Sequence, residues 1–290
     1  MVTGLTGRRV AIFGLGYVGL VTAVAMASRG IEVVGYDVDG ARVEALSSGR
    51  TPIYEPGLDE LLGRTRDGGT ISFTGDPAEA VRGSDFVFIS VGTPSREDGS
   101  MDPRYVEAAA RDIGRAMRAD PRYRVVVVKS TVIPGTTTGV VRSALERESG
   151  MACCLDFGLA MNPEFLREGK AIDRRSGDAL EALWRSAVEN DPPILRTTPE
   201  NAELIKYANN SFLAMKVSFA NMFARLCMRV PGCDVDVVMR GIGMDRRIGP
   251  EFLNAGMAWG GSCFPKDLRA ISSFARGRGA ALDLVEAALS

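Results

Sequence analysis

The side chains with chemical reach in this sequence are Cys263, Lys206, Lys266, Asn210, Asp267 and Glu164. Cys263 stands in Gly260-Gly261-Ser262-Cys263-Phe264-Pro265-Lys266-Asp267, where two glycines allow close backbone approach and Pro265 suits the first turn of a helix. A thiol at a helix N-terminus has its thiolate favoured by the helix dipole, and Lys266 adds positive charge there. Asp267, about one turn on, can accept a proton or orient water. A cysteine is commonly just a small buried hydrophobe, and Cys153, Cys154, Cys227 and Cys233 are read that way.

Lys206 and Asn210 are four apart in an expected long helix and so share a face. A cation and an amide stacked like this suit a developing oxyanion, although a solvated helix face has the same pattern. Glu164 opens Glu164-Phe165-Leu166-Arg167-Glu168, directly after an expected sixth strand, at the edge where α/β sheets bind ligands.

The chain has 290 residues and no histidine, so proton transfer falls to Lys, Asp, Glu, Cys or Tyr, and histidine-based triads and metal sites are excluded. No metal is expected. A net charge of −1 supplies no broad basic field for nucleic acid or an anionic membrane. No apolar run reaches the roughly 20 residues of a membrane span, and no signal peptide is evident, so a cytoplasmic protein is expected. Five irregularly spaced cysteines argue for thiols rather than a disulfide framework.

These groups need a scaffold. Between Arg8 and Thr198, apolar β-rich runs alternate with helical spacing: residues 10–13, 32–36, 71–74, 86–89 and 124–128 read as strands, and 105–117 as a helix. The expected fold is α/β, a doubly wound, mostly parallel Rossmann sheet followed by a helical domain on a long connecting helix. Thr198-Pro199-Glu200 supplies an N-cap, a first-turn proline and an acid, opening a helix to about Arg229 that would span roughly 45 Å. The domains are therefore expected at 1–198 and 199–290.

Gly14-Leu15-Gly16-Tyr17-Val18-Gly19 lies between the first strand and a helix. Alone such a motif is weak evidence; with strand, helix and Asp37 at the end of the second strand, it reads as a dinucleotide cradle. Gly14 permits the turn, Gly16 the approach of a pyrophosphate, and Gly19 close packing of the helix. Asp37 would accept hydrogen bonds from ribose hydroxyls and repel a 2′-phosphate, which favours NAD. Arg42 reads equally as a cofactor contact or a surface charge. Thr93, Ser130 and Thr131, at the ends of two further strands, either face the nicotinamide or serve as turn residues.

Together these residues resemble the nucleotide-sugar 6-dehydrogenase family, whose pattern also matches Tyr54-Glu55-Pro56-Gly57, Val91 to Pro94, Lys129 to Thr131, Asn162 to Phe165, Lys206 to Asn210 and Arg247 to Gly249. The resemblance implies NAD-dependent four-electron oxidation of an NDP-hexose, such as UDP-glucose or TDP-glucose, through a thiohemiacetal and a thioester on Cys263. It implies oxyanion stabilisation by Lys206 and Asn210, proton transfer by Asp267, a water held by Thr131, and Glu164 as base for hydrolysis. It further implies cofactor contacts by Tyr17, Val18 and Glu168. Substrate contacts would come from Phe165, Leu166, Phe252, Leu253, Asn254, Gly256, Trp259 and Gly260, with Arg247 reaching across a homodimer built on the helical domain.

Two departures from the family pattern stand out. The stretch after Glu168 leads to the expectation of a missing edge strand, and the C-terminal nucleotide-base domain has no counterpart before Ser290. A two-electron hydroxy-acid dehydrogenase and a non-catalytic NAD-binding module remain the alternative readings.

Overall fold

A computed structural model describes residues 8–163, 170–171, 174–188, 193–257, 259–261 and 263–289. The strands are β1 (Arg9–Phe13), β2 (Glu32–Tyr36), β3 (Ile71–Thr74), β4 (Phe86–Ile89), β5 (Val125–Val128), β6 (Gly158–Met161) and β7 (Lys170–Ala171). Helices α1 (Tyr17–Ala27), α2 (Gly40–Ser47), α3 (Leu58–Asp67), α4 (Pro77–Val81), α5 (Arg104–Ala119), α6 (Arg142–Ser149) and α7 (Arg174–Ala187) alternate with them. There follow α8 (Pro199–Cys227), α9 (Val235–Gly243), α10 (Phe264–Arg276) and α11 (Asp283–Leu289).

One seven-stranded sheet has the order β3-β2-β1-β4-β5-β6-β7, parallel throughout except for the β6–β7 pair. Every residue of β4, β5 and β6 is buried, as strands covered on both faces require. One core layer packs Val10, Ile12, Phe86, Phe88, Val125 and Val127 against Leu20, Val24 and Leu183 of the flanking helices. Each of the five expected strands is present. The expected loss of an edge strand is corrected: β7 closes that edge as a two-residue antiparallel strand, too short to expose a long unpaired ladder.

The chain forms two compact units. Residues 1–93 and 103–203 make up the sheet unit, and residues 94–102 and 204–290 the helical unit. The division thus falls a turn inside α8 rather than at its start, and the loop after β4 belongs with the helices. Thr198 caps α8 by accepting the Asn201 N–H at 3.3 Å. Among the described residues, no helix is long and apolar enough to cross a membrane.

A carboxylate with no local sequence signature anchors the first turn of α8 within the sheet unit. Glu203 is fully buried, and its two oxygens accept the backbone N–H groups of Gly135 at 2.7 Å and Thr137 at 2.9 Å, before α6. Burial pushes its pKa up to about 7, outweighing the downward pull of Thr137 and Gly135. Between its ordinary value and about 7 the folded chain binds the proton that the unfolded chain has lost, so this group's contribution to stability declines as pH rises through that window. Denaturant unfolding of the wild type should therefore show a loss of about 3 kcal/mol or less from this group between pH 4.5 and 7, absent from Glu203→Gln. Equal pH slopes for the two proteins would contradict it.

Candidate active site

The sheet order creates a candidate cofactor site in the sheet unit. Strands β2 and β4 flank β1 on opposite sides, so the chain reverses direction at the carboxyl ends of β1 and β4, where open α/β sheets leave a ligand crevice. A cleft of about 550 Å³ opens there, lined by residues including Gly14, Gly16, Asp37, Arg42, Tyr105 and Asp112.

The three glycines do different things. Gly14 has φ +95°, and a Cβ on it would meet the Ser90 carbonyl at 2.8 Å. A Cβ on Gly19 would lie 1.8 Å from the Gly14 carbonyl oxygen, so α1 can sit this close to the turn only without a side chain there. Around Gly16 a Cβ would meet nothing within 4 Å, which leaves the start of α1 open for a ligand. No acidic residue occupies the first turn of α1, so an anion would meet no opposing charge from it.

Asp37 is buried at the end of β2 and held from three sides. Its Oδ2 accepts the Leu15 N–H at 2.8 Å and Arg42 Nη1 at 2.9 Å, and its Oδ1 accepts the Asp39 N–H at 3.0 Å. Arg42 is therefore an ion-pair partner that lines the cleft, more than a stray surface charge. Tyr17 is half exposed and donates its hydroxyl to Glu55 at 2.7 Å, which joins the glycine loop to the Tyr54-Glu55-Pro56-Gly57 segment. Val18 is partly buried. Thr93 and Ser130 are buried at the ends of β4 and β5, where Ser130 donates to the Val91 carbonyl at 2.7 Å; neither they nor Thr131 line this cleft.

Tyr105 and Asp112 were missed because they sit on α5, far along the chain. Only the adjacency of β1 and β4 brings them to the cleft, and no local pattern announces that.

A separate cluster of candidate catalytic residues lies in the helical unit. Asp267 is buried and divides its carboxylate between two partners: Oδ2 accepts Asn210 Nδ2 at 2.7 Å, and Oδ1 pairs with Lys266 Nζ at 2.6 Å. Lys206 and Asn210 are both buried, so the reading of a solvated helix face is corrected. Cys263 is the N-cap of α10, its carbonyl accepts the Asp267 N–H at 2.9 Å, and its thiol is exposed. The thiol thus belongs to the same helix turn as the buried carboxylate. Lys266, expected to favour the thiolate, also pairs its ammonium with Asp267.

Around this cluster, Trp259 donates Nε1 to Ser218 at 2.6 Å, and Gly256 donates its N–H to Asn221 at 2.8 Å, so the loop before Cys263 is pinned to α8. Phe252 and Trp259 each lie 6.4 Å from the Phe264 ring, Leu253 is buried, and Asn254 and Gly260 are exposed. Arg247 stands well out, its side chain 88% exposed and paired with Asp245. Glu164, Phe165, Leu166 and Glu168 lie outside the described residues. Of the four cysteines expected to be small buried hydrophobes, Cys153 and Cys227 are buried, but Cys154 is exposed and Cys233 half-buried.

The glycine geometry separates two substitutions that look alike. Gly19→Ala should lower stability by about 1–3 kcal/mol, because the helix must move off the turn. Gly16→Ala should leave stability within about 0.5 kcal/mol yet weaken dinucleotide binding about tenfold or more. Thermal melts and NAD titration of the two variants check this; a Gly16→Ala protein that binds like wild type would contradict the reading of the cradle.

Comparison with known proteins finds family matches over both parts of the chain. Residues 8–177 match the NAD binding domain of the UDP-glucose/GDP-mannose dehydrogenase family, and residues 200–290 match its central domain. A GDP-mannose 6-dehydrogenase of Pseudomonas aeruginosa is 43% identical over 91% of this chain and 63% of its own length. A UDP-glucose 6-dehydrogenase of Rhizobium meliloti is 44% identical over 96% of this chain and 66% of its own. The chain thus spans just under two thirds of each of these relatives. The structure of a UDP-glucose dehydrogenase from Pyrobaculum islandicum superposes with a TM-score of 0.94 at 44% identity, covering 100% of this chain and 68% of that one. With its glycine cradle, its buried Asn210–Asp267 pair joined by Lys266 and these matches along the chain, the chain belongs to the UDP-glucose/GDP-mannose dehydrogenase family.

Proposed function

We propose that the protein oxidises C6 of an NDP-hexose, UDP-glucose first among the candidates, to the uronic acid, with two NAD consumed per sugar. The observation that carries this reading is Cys263, an exposed thiol one turn from a buried carboxylate that is already bonded to Asn210. The cleft at Gly14, Gly16 and Asp37 suits NAD: the open space at Gly16 fits a diphosphate, and the fixed Asp37 carboxylate fits a ribose diol. When bound, NAD supplies the hydride acceptor for each oxidation.

The chain's residues supply the rest. In the first oxidation a C6 hydroxyl proton must leave, and the Asp267 carboxylate, within an N–H network, is the group we assign to move it. Cys263 Sγ then adds to the aldehyde carbon, and the proton goes to the carbonyl oxygen, giving a thiohemiacetal. Loss of a second hydride from carbon together with the thiohemiacetal hydroxyl proton leaves a thioester. Asn210, fixed at 2.7 Å by Asp267, and Lys206 on the same helix face would stabilise the oxyanion at each stage. Water, held by Thr131 and activated by Glu164, displaces the thiol and yields the carboxylate.

On the same resemblance we propose a homodimer through the helical unit, with Arg247 reaching the neighbouring protomer's substrate. The exposed Phe219, Met222 and Leu226 of α8 support it by offering apolar surface to cover.

The test is a turnover screen against UDP-glucose, TDP-glucose and GDP-mannose, following NADH and uronate together. The expected yield is two NADH per sugar with one substrate clearly preferred, and loss of uronate in Cys263→Ser. One NADH per substrate, with Cys263→Ala still active, would favour a two-electron dehydrogenase. NAD binding without any turnover would favour a cofactor-binding module.

A further inference from the structure

A pair of thiols lies away from this chemistry. Cys153 and Cys154 are consecutive, and their Sγ atoms are 3.7 Å apart. They occupy the turn between α6 and the start of β6, at the amino end of the parallel strands, opposite the cleft at the carboxyl ends.

The turn is firmly built. Cys154 N–H donates to the Phe157 carbonyl at 2.8 Å, Ala152 N–H to Asp156 Oδ2 at 2.8 Å, Asp156 N–H to the Ala152 carbonyl at 2.9 Å, and Cys153 N–H to Glu146 Oε1 at 3.1 Å. These bonds hold Cys154 at φ +72°, a left-handed conformation uncommon for a residue with a side chain. Both thiols are thereby presented on one short segment, Cys154 exposed and Cys153 tucked beneath it.

Geometry decides what such a pair can do. A disulfide would require the sulfurs to close to about 2.05 Å, and disulfide-bonded Cα atoms usually lie about 4.4–6.8 Å apart, whereas neighbouring residues are fixed near 3.8 Å. Direct oxidation therefore works against the backbone. Two sulfurs at 3.7 Å can instead hold one larger soft atom between them without either Cα moving far. Charge contributes too: the Arg142 guanidinium is close enough to be felt by both thiols, while Glu146 opposes it. Burial and the neighbouring thiol push Cys153 up to about 12, so the first bond falls to the exposed Cys154.

We propose that Cys153 and Cys154 form a vicinal dithiol site that captures one trivalent arsenical, of the type R–As(OH)₂. Two As–S bonds form and two As–O bonds break, and the two thiol protons leave with the hydroxyls as two waters. Arsenic stays trivalent and sulfur is not oxidised, so no co-reactant is needed. The second bond closes within one turn, and this chelation makes the adduct resist exchange with a monothiol.

The probe is phenylarsine oxide, added to the intact protein and followed by washing with excess monothiol, intact mass measurement and a count of remaining reactive thiols. Wild type should keep one phenylarsenic group per chain and lose two titratable thiols. Cys153→Ser and Cys154→Ser should each retain about tenfold less or lower, while NAD binding, measured as a folding control, is unchanged. Cys227 and Cys233 also lie within hydrogen-bond reach of each other, so Cys227→Ser and Cys233→Ser test that pair and should behave as wild type. Full retention in Cys154→Ser, loss of retention in Cys227→Ser, or formation of a Cys153–Cys154 disulfide in place of the adduct would overturn the proposal.

Discussion

The approach of α1 to the turn after β1 is the constraint on which the cofactor half of this protein rests. The helix start comes so near that a single methyl at Gly19 would overlap the Gly14 carbonyl oxygen, and Gly14 itself is wedged against the backbone after β4. That contact draws β1, β4 and α1 together at the point where the sheet reverses direction. It also sets the Leu15 N–H where it can bond Asp37, so one short loop both opens the space for a diphosphate and fixes the carboxylate that lines the same cleft.

The helical unit uses a different device. Asp267 is a buried carboxylate whose two oxygens are spoken for by an amide from α8 and an ammonium from its own helix. A buried charge is tolerable only when it is paired and hydrogen-bonded in this way, and the pairing brings two helices into register. Asn210 is held by the same bond that satisfies Asp267. A side chain fixed before the substrate arrives loses little freedom in the reaction, which is the condition for effective oxyanion stabilisation.

Much of this was legible in the residues, and the reasons differ by feature. The strands were readable because strands covered on both faces become unbroken apolar runs, as in Val125-Val126-Val127-Val128. The long helix was readable from Thr198 and Pro199, whose local chemistry is the cap itself. Asn210 and Asp267 were singled out separately, but the bond between them depends on packing between helices 57 residues apart. Tyr105 and Asp112 depend on strand order, Glu203 on the burial of an ordinary helical glutamate, and the ion pair of Lys266 on a side-chain rotamer. None of these has a signature in local spacing. The exposure of Cys154 likewise follows from a turn bonded back on itself, whereas composition alone suggested a buried thiol.

Covalent capture at Cys263 is the central step of the proposed oxidation. Its most direct measurement is acid quenching of a single turnover with NAD and the preferred NDP-hexose, followed by peptide mapping by mass spectrometry. The account predicts a sugar acyl adduct on the peptide that carries Cys263, rising and then decaying as uronate appears. Uronate formed at the full rate with Cys263 unmodified throughout would contradict it.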